Sequence, residues 1–278
     1  MTELDRYAVF GNPVRHSRSP QIHTAFAAQF GDAIVYRSVC VEAGDFARAA
    51  DAFFAGGGRG LNITVPFKQD AFRYSTMLSK RAEQAGAVNT LTPLTGGQYR
   101  GDNTDGVGLV RDMIANLGWT LRDRRVLLLG AGGAAAGVIA PLLLEKPAAL
   151  VVVNRTAARA NELVQKFAAQ GPLSGGGYEL LETQDFDLII NATSASLAGD
   201  LPPLSGSLLN MRSCCYDMMY AAEPTVFMRW AAENTAWAIA DGLGMLVEQA
   251  AEAFYIWRGQ RPQTGPVITE LRDAMEAS

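Results

Sequence analysis

The chain has 278 residues, a net charge of -4 and a composition that is 49% hydrophobic and 19% charged. At roughly 100–200 residues per domain this predicts two domains, and the apolar fraction supplies a core and excludes a disordered chain. No Lys/Arg run invites nucleic acid or an acidic membrane surface, and three sparse cysteines with two histidines make neither a disulfide framework nor a metal site, which suits a reducing cytoplasm.

In chain order, Met1–Pro13 has no basic segment followed by an apolar stretch, so no secretory signal is expected. Arg6–Phe10 reads as a short strand ending at the turn residues Gly11-Asn12-Pro13. Ser19 before Pro20 is the usual pairing of helix N-cap and first helical position, and predicts a helix over Gln21–Gln29. A strand over Ile34–Val41, a helix over Asp45–Phe54 stopped by Gly56-Gly57-Gly58, and a strand over Gly60–Val65 follow.

A second unit begins near Gly106. It reads as a helix over Leu109–Leu117, a strand over Arg125–Leu129, a glycine turn, a helix to about Leu144 and a strand over Ala149–Val153. A helix over Ala157–Ala169, a Gly/Ser surface loop over Gly171–Gly177 and a buried strand over Leu188–Asn191 come next, and Gly244–Arg258 is strongly helical. This alternation predicts a parallel, doubly wound sheet. Val126–Leu144 contains no charged residue and carries a GxxxG, so a membrane helix competes with a strand, turn and buried helix. The clustering of Gly130, Gly132 and Gly133 at one point favours the turn.

Gly130-Ala131-Gly132-Gly133-Ala134-Ala135 fits G-x-G-x-x-A between a strand and a helix. A pyrophosphate needs that placement, because it must approach backbone N–H groups at a helix N-terminus through a turn too tight for side chains. About 20 residues on, an NAD site carries an acidic residue for the ribose hydroxyls. Here Asn154-Arg155-Thr156 stands instead, with Arg159 one turn later. Two guanidinium groups and a hydroxyl suit a phosphate, so NADP is expected over NAD. A solvated basic helix start is the plainer reading. However, a cation at a helix N-terminus opposes the helix dipole unless an anion is its neighbour.

Four segments of the first hundred or so residues are rich in small polar groups: His16–Pro20, Asn62–Lys68, Ala87–Thr90 and Gly101–Gly106. Together they suit a hydroxylated ligand bearing one carboxylate. Taken singly, Ser19 and Asp105 also read as helix caps, Lys68 as a surface lysine, Asn89 as a turn residue, and Tyr220 and Gln249 as packing. In this order, with Asn191-Ala192-Thr193-Ser194, Tyr216–Tyr220 and Asp241–Gln249, the segments resemble the shikimate dehydrogenases from about Gly11 to Gln249. One departure is Ser196, where family members often have glycine.

The resemblance implies an α/β protein of two domains with the active site in the cleft. An α/β substrate domain would take residues 1–105 and 240–278, and a Rossmann-like, doubly wound NADP-binding domain would take residues 106–239. It implies a cytoplasmic monomer or homodimer, without nucleic-acid, membrane or metal partners. The reaction implied is reversible NADPH-dependent reduction of 3-dehydroshikimate to shikimate in aromatic amino acid biosynthesis. Lys68 and Asp105 would be the catalytic pair, and which of them holds the transferred proton stays open. Ser17 and Ser19, with Tyr220, would hold the substrate carboxylate. Thr64, Asn89, Asp105 and Gln249 would hold ring hydroxyls. Gly130, Ala131, Gly132, Gly133, Ala134, Asn154, Arg155, Thr156, Arg159 and Thr193 would bind the cofactor, with Met218 and Gly242 near the nicotinamide. Three rivals are a relative using quinate or NAD, a non-catalytic shikimate sensor, and a plain NADP-binding domain attached to an unrelated partner domain, against which the polar segments of the first hundred residues speak. The intact Lys68 and Asp105 speak against the sensor.

Overall fold

The computed structural model describes residues 4–182, 184–195 and 199–277. The chain forms two compact units. The first takes the residues up to Gly108 together with Val247–Val267, and the second takes Leu109–Leu246 with the residues from Ile268 onward. The expected boundaries, after residue 105 and before residue 240, therefore differ from the observed ones, and the end of the chain groups with the second unit.

In the first unit β1 (Asp5–Gly11), β2 (Ile34–Cys40), β3 (Gly58–Ile63), β4 (Met77–Leu78), β5 (Thr90–Pro93) and β6 (Tyr99–Asp102) form one sheet, in the order β2-β1-β3-β5-β6-β4. The β2-β1-β3 part is parallel, and β5 runs antiparallel to both β3 and β6. Strand alternation sends Ala8, Phe10, Leu61 and Ile63 into one buried cluster with Phe46, Ala50 and Phe67. Tyr7, Val9 and Tyr36 point the other way. There the buried His23 of α1 (Ser19–Gln29) stacks on Tyr36 at 4.5 Å.

Two local expectations change here. Arg18 is the N-cap of α1 and Ser19 its first helical residue; its hydroxyl caps nothing. Instead the Ser19 N–H donates to Ser17 Oγ at 3.3 Å, so the preceding serine takes that role. The region between Pro66 and Gly101 also holds more structure than its sequence suggested: β4, β5, α3 (Lys68–Tyr74) and α4 (Lys80–Ala85). These elements are two to seven residues long, too short for a hydrophobic period to repeat.

The second unit holds β7 (Arg125–Leu129), β8 (Ala149–Val153), β9 (Leu173–Gly176), β10 (Phe186–Asn191), β11 (Leu209–Asp217) and β12 (Ala238–Ala240), in the order β12-β11-β10-β7-β8-β9. All its neighbouring pairs are parallel. Two outward runs from β7 give the doubly wound topology that the alternation predicted. Val126 and Leu128 bury into one cluster and Leu127 and Leu129 into another, which is why β7 is apolar without alternation. Each such burial contributes about 1.5–3 kcal/mol.

Val126–Leu144 resolves into β7, the glycine turn and α6 (Gly133–Leu144), a helix of 12 residues. No helix among the described residues is long and apolar enough to cross a membrane. The expected loop Gly171–Gly177 contains the edge strand β9. At Gly175 a Cβ would lie 2.6 Å from the Val152 carbonyl oxygen, so the glycine that looked like a loop signal permits the close strand approach.

Candidate functional site

In the first unit two loops leave the carboxyl ends of β1 and β3. They are joined by the Asn12 N–H donating to the Val65 carbonyl at 3.0 Å, and by the Thr64 N–H donating to the Phe10 carbonyl at 2.9 Å. A Cβ on Gly11 would sit 2.4 Å from Thr64 Cγ2, so glycine is what lets the loops meet. The first loop carries Ser17 and Ser19, whose hydroxyl oxygens lie 3.2 Å apart. The second carries Thr64 and leads to Lys68 at the start of α3.

Lys68 Nζ donates to Asp105 Oδ2 at 2.6 Å, with the two side chains 33% and 16% exposed. This pair is fixed from behind. The Lys68 carbonyl accepts from the Val88 N–H at 2.9 Å, and the Asp105 N–H donates to Asn103 Oδ1 at 3.1 Å. Asn89, buried between them, donates to Asp105 Oδ1 (2.8 Å), Thr104 Oγ1 (2.9 Å) and Gln249 Oε1 (3.3 Å). Its own Oδ1 accepts from the Thr104 N–H at 2.9 Å. The result is one charged pair at the edge of a buried polar network.

Below this network lies Asp102, also buried. Burial alone would raise its carboxyl, but the Arg81 guanidinium, the Ser79 hydroxyl and the Asn103 N–H outweigh that and hold it below the usual carboxylate range. Arg81 also pairs with Glu252 at 2.8 Å. The charges that brace the site are thereby neutralised one by one, and the Lys68–Asp105 pair is left facing outward.

In the second unit Gly130 has a φ of 107°, and a Cβ there would lie 3.1 Å from Thr193 Cγ2. Gly132 is the N-cap of α6 and offers no side-chain cap. A Cβ on Gly132 or Gly133 would meet nothing within 4 Å. The first N–H groups of α6 thus face open space with the positive end of the helix dipole behind them, a cradle that fits a pyrophosphate. Asn154 follows β8, and its Nδ2 donates to the Thr156 carbonyl at 3.0 Å. Arg155, Thr156 and Arg159 are exposed, and neither guanidinium takes part in an ion pair among the described residues.

At the ends of β10 and β11, Asn191 organises the backbone. Its Oδ1 accepts from the Thr193 N–H and hydroxyl, its Nδ2 donates to Asp217 Oδ1, and its carbonyl accepts from the Met218 N–H. Asp217 also receives the Met219 N–H and the Thr225 hydroxyl. A Cβ on Gly242 would sit 2.2 Å from the Met218 carbonyl oxygen, so Met218 and Gly242 are in backbone contact.

Three family models match along the chain: shikimate dehydrogenase substrate binding domain over residues 9–91, shikimate / quinate 5-dehydrogenase over 112–198, and shikimate 5'-dehydrogenase C-terminal domain over 242–272. The shikimate dehydrogenase (NADP(+)) of Cellvibrio japonicus is 59% identical over 272 residues, which cover 98% of each chain. The chain belongs to the shikimate dehydrogenase family. Among solved shikimate dehydrogenases, that of Thermus thermophilus, determined in complex with NADP(H) and shikimate, aligns with a TM-score of 0.85 at 31% identity over 98% of this chain and 100% of its own. An Ael1 enzyme from Pseudomonas putida aligns with a TM-score of 0.91 at 45% identity, over 96% and 98%.

For a shikimate dehydrogenase chain, the distribution of the expected residues is informative. Lys68, Asp105, Asn89 and Gln249 fall into one bonded network, with Ser17 paired to Ser19 and Thr64 on the neighbouring loop. Tyr220 does not belong to the unit that holds the two serines, because it follows β11 in the second unit. Sequence reasoning assigned no role to Thr104, Asn103, Asn191 or Asp217. The first two lay inside Gly101–Gly106, and their burial between β6 and the helix that begins at Asp105 was the missing signal. The departure at Ser196 lies outside the described residues.

Proposed function

We propose that this chain catalyses the reversible NADPH-dependent reduction of 3-dehydroshikimate to shikimate, a step of aromatic amino acid biosynthesis. The observation that carries the proposal is the Lys68–Asp105 pair at 2.6 Å, fixed by Asn89. The identity of its relatives as shikimate dehydrogenases (NADP(+)) supports substrate and cofactor alike.

Bound NADPH supplies the hydride. The chain supplies the proton and the positions. Reducing a ketone builds negative charge on its oxygen, and a positioned donor must neutralise that charge. Lys68 Nζ gives this proton during reduction and takes it back during oxidation. Asp105 Oδ2 holds the ammonium in place, while Asp105, Thr64, Asn89 and Gln249 receive ring hydroxyls. Ser17 and Ser19 hold the carboxylate by hydrogen bonds, with Tyr220 as a further donor.

The residues expected for the cofactor fit it. The run from Gly130 to Ala134 presents uncapped N–H groups to a pyrophosphate, and Asn154, Arg155, Thr156 and Arg159 hold the 2′-phosphate. Thr193, Met218 and Gly242 form the backbone wall against which a nicotinamide packs. The enzyme works as a cytoplasmic monomer or homodimer.

The test is initial-rate assay by NADPH absorbance, with shikimate or quinate and with NADP or NAD. Turnover confined to shikimate with NADP is the expected result. Comparable rates with quinate or NAD would move the chain to a broader specificity, and binding of shikimate without turnover would make it a sensor.

A further inference from the structure

At the amino-terminal end of the second unit's sheet there is a cavity of about 300 Å³ that the reaction above does not use. Its walls are set by strand register. Leu188 of β10 pairs with Cys214 of β11 and with Val126 of β7, at the opposite end of these strands from the residues that precede the glycine turn. The five residues of β7 therefore separate the cavity from Gly130, a span of about 17 Å. Arg212 and Cys214 lie two residues apart on β11 and share one face of the sheet, with Cys214 on the buried cluster and Arg212 on its rim. The Trp237 N–H donates to the Ser213 carbonyl at 2.9 Å, which brings the 67% exposed Trp237 to the same level. Trp119, buried and edge-on to Tyr216 at 6.2 Å, forms the inner wall.

The charges around this space do not cancel. Asp187 already receives the Arg125 N–H at 2.9 Å and lies 3.7 Å from Arg124 Nη1, so the Asp187 carboxylate and the Arg124 guanidinium answer one another. Arg212 also lines the cavity, and no ion pair holds its guanidinium among the described residues. One positive charge is left over in a lining that includes two tryptophans. Such a lining takes a flat, apolar ring at the indoles and an anion at the guanidinium, which presents a fixed fork of donors suited to a carboxylate. The volume lies at the small end of the range for ligand sites, which suits a single ring.

We propose that this cavity is a second small-molecule site that binds an aromatic carboxylate, separate from the substrate and cofactor sites. The floor is formed by Cys214, whose thiol is pushed up to about 11 by burial, so the wall is a neutral, unreactive one. Beyond the floor, Tyr216 donates to Asp112 Oδ2 at 2.6 Å, so an occupant packs against a rigid, satisfied part of the core.

The experiment is calorimetric titration of the whole enzyme with 4-hydroxybenzoate while saturating NADPH and shikimate, a pair that cannot react together, fill both established sites. One equivalent of 4-hydroxybenzoate should bind. Arg212→Ala and Trp237→Ala, both at exposed positions, should each weaken that binding by about tenfold or more while leaving kcat and both KM values unchanged. The neutral analogue p-cresol should bind about tenfold more weakly than 4-hydroxybenzoate. No binding to the filled enzyme, binding indifferent to both substitutions, or equal binding of p-cresol would overturn the proposal.

Discussion

The two units solve recognition in opposite ways. The proposed substrate site of the first unit is built from side chains that bond to one another: Lys68 to Asp105, Asp105 to Asn89, Asn89 to Thr104 and Gln249. The proposed cofactor site of the second unit is built from backbone, with an uncapped helix start and glycines that leave room, and adds exposed cations that form no ion pair among the described residues. A prearranged side-chain network can select among closely similar hydroxylated rings, since a wrong ligand leaves buried groups unpaired. A backbone cradle accepts any pyrophosphate and leaves the choice between NADP and NAD to a few surface groups. The first site is therefore costly to alter and the second cheap.

Five substitutions test that contrast, and the largest effect is expected in the substrate unit. Lys68→Ala removes the proposed proton donor and should lower kcat by about 10²–10⁴-fold while shikimate affinity changes far less. Near wild-type turnover would remove Lys68 from the mechanism and leave the pair a structural one. Asn89→Ala comes next. Asn89 is 2% exposed, and its loss leaves the Thr104 N–H and an oxygen of Asp105 without their partner. We expect a stability loss of about 1–3 kcal/mol together with a fall in kcat/KM. A fall in kcat/KM with an unchanged melting temperature would show that the network forms only when substrate binds.

The same unit should also be the more sensitive to acid at one identifiable place. Burial in the aromatic cluster of Tyr36, Phe26, Phe254 and Trp257 pushes His23 down to about 3 from its ordinary 6.5. A depressed folded-state value means that the unfolded chain takes the proton first. The stability contributed by neutral His23 is thus complete above about pH 6.5 and declines as pH falls toward 3, by about 1.4 kcal/mol per pH unit. His23→Phe keeps the ring and removes the proton site, so its melting temperature should fall less steeply than that of the wild type between pH 6.5 and 4.5. Parallel curves would show that another group dominates.

The contrast between the units also explains what could be read before the fold was known. The proposed cofactor site is contiguous: a strand, a glycine turn, a helix, and then Asn154-Arg155-Thr156 after the next strand. Local periodicity and turn chemistry therefore suffice to propose it. The substrate site is assembled from residues as distant as Asn89 and Gln249, on short elements that no period reveals. Only the ordered set of motifs pointed to Lys68, Asp105 and Asn89. The supporting roles of Thr104, Asn103 and Asp102 depend on burial, which spacing does not encode. Tyr220 lies after β11 in the second unit, where the expected range of residues 106–239 already put it, so its assignment to the carboxylate rests on the family resemblance alone.

The smallest effect belongs to the exposed cations. Arg155 lies in solvent at the start of α7 (Ala157–Phe167), a position that the helix dipole disfavours for a cation, so removing it should not lower the melting temperature. What it should cost is NADP. A charge-assisted bond to the 2′-phosphate at a solvated site corresponds to about tenfold in affinity, so Arg155→Ala should raise KM for NADPH about tenfold and leave NADH use untouched. Arg159→Ala, one turn further along, should follow in the same direction with a smaller change. Because the interaction is exposed, the wild-type preference for NADPH should itself shrink as ionic strength rises, and the Arg155→Ala enzyme should lose most of that salt dependence. If Arg155→Ala instead weakened NADPH and NADH equally, the residue would be acting on the shared pyrophosphate or on the turn. The choice between cofactors would then rest with Thr156 and Asn154.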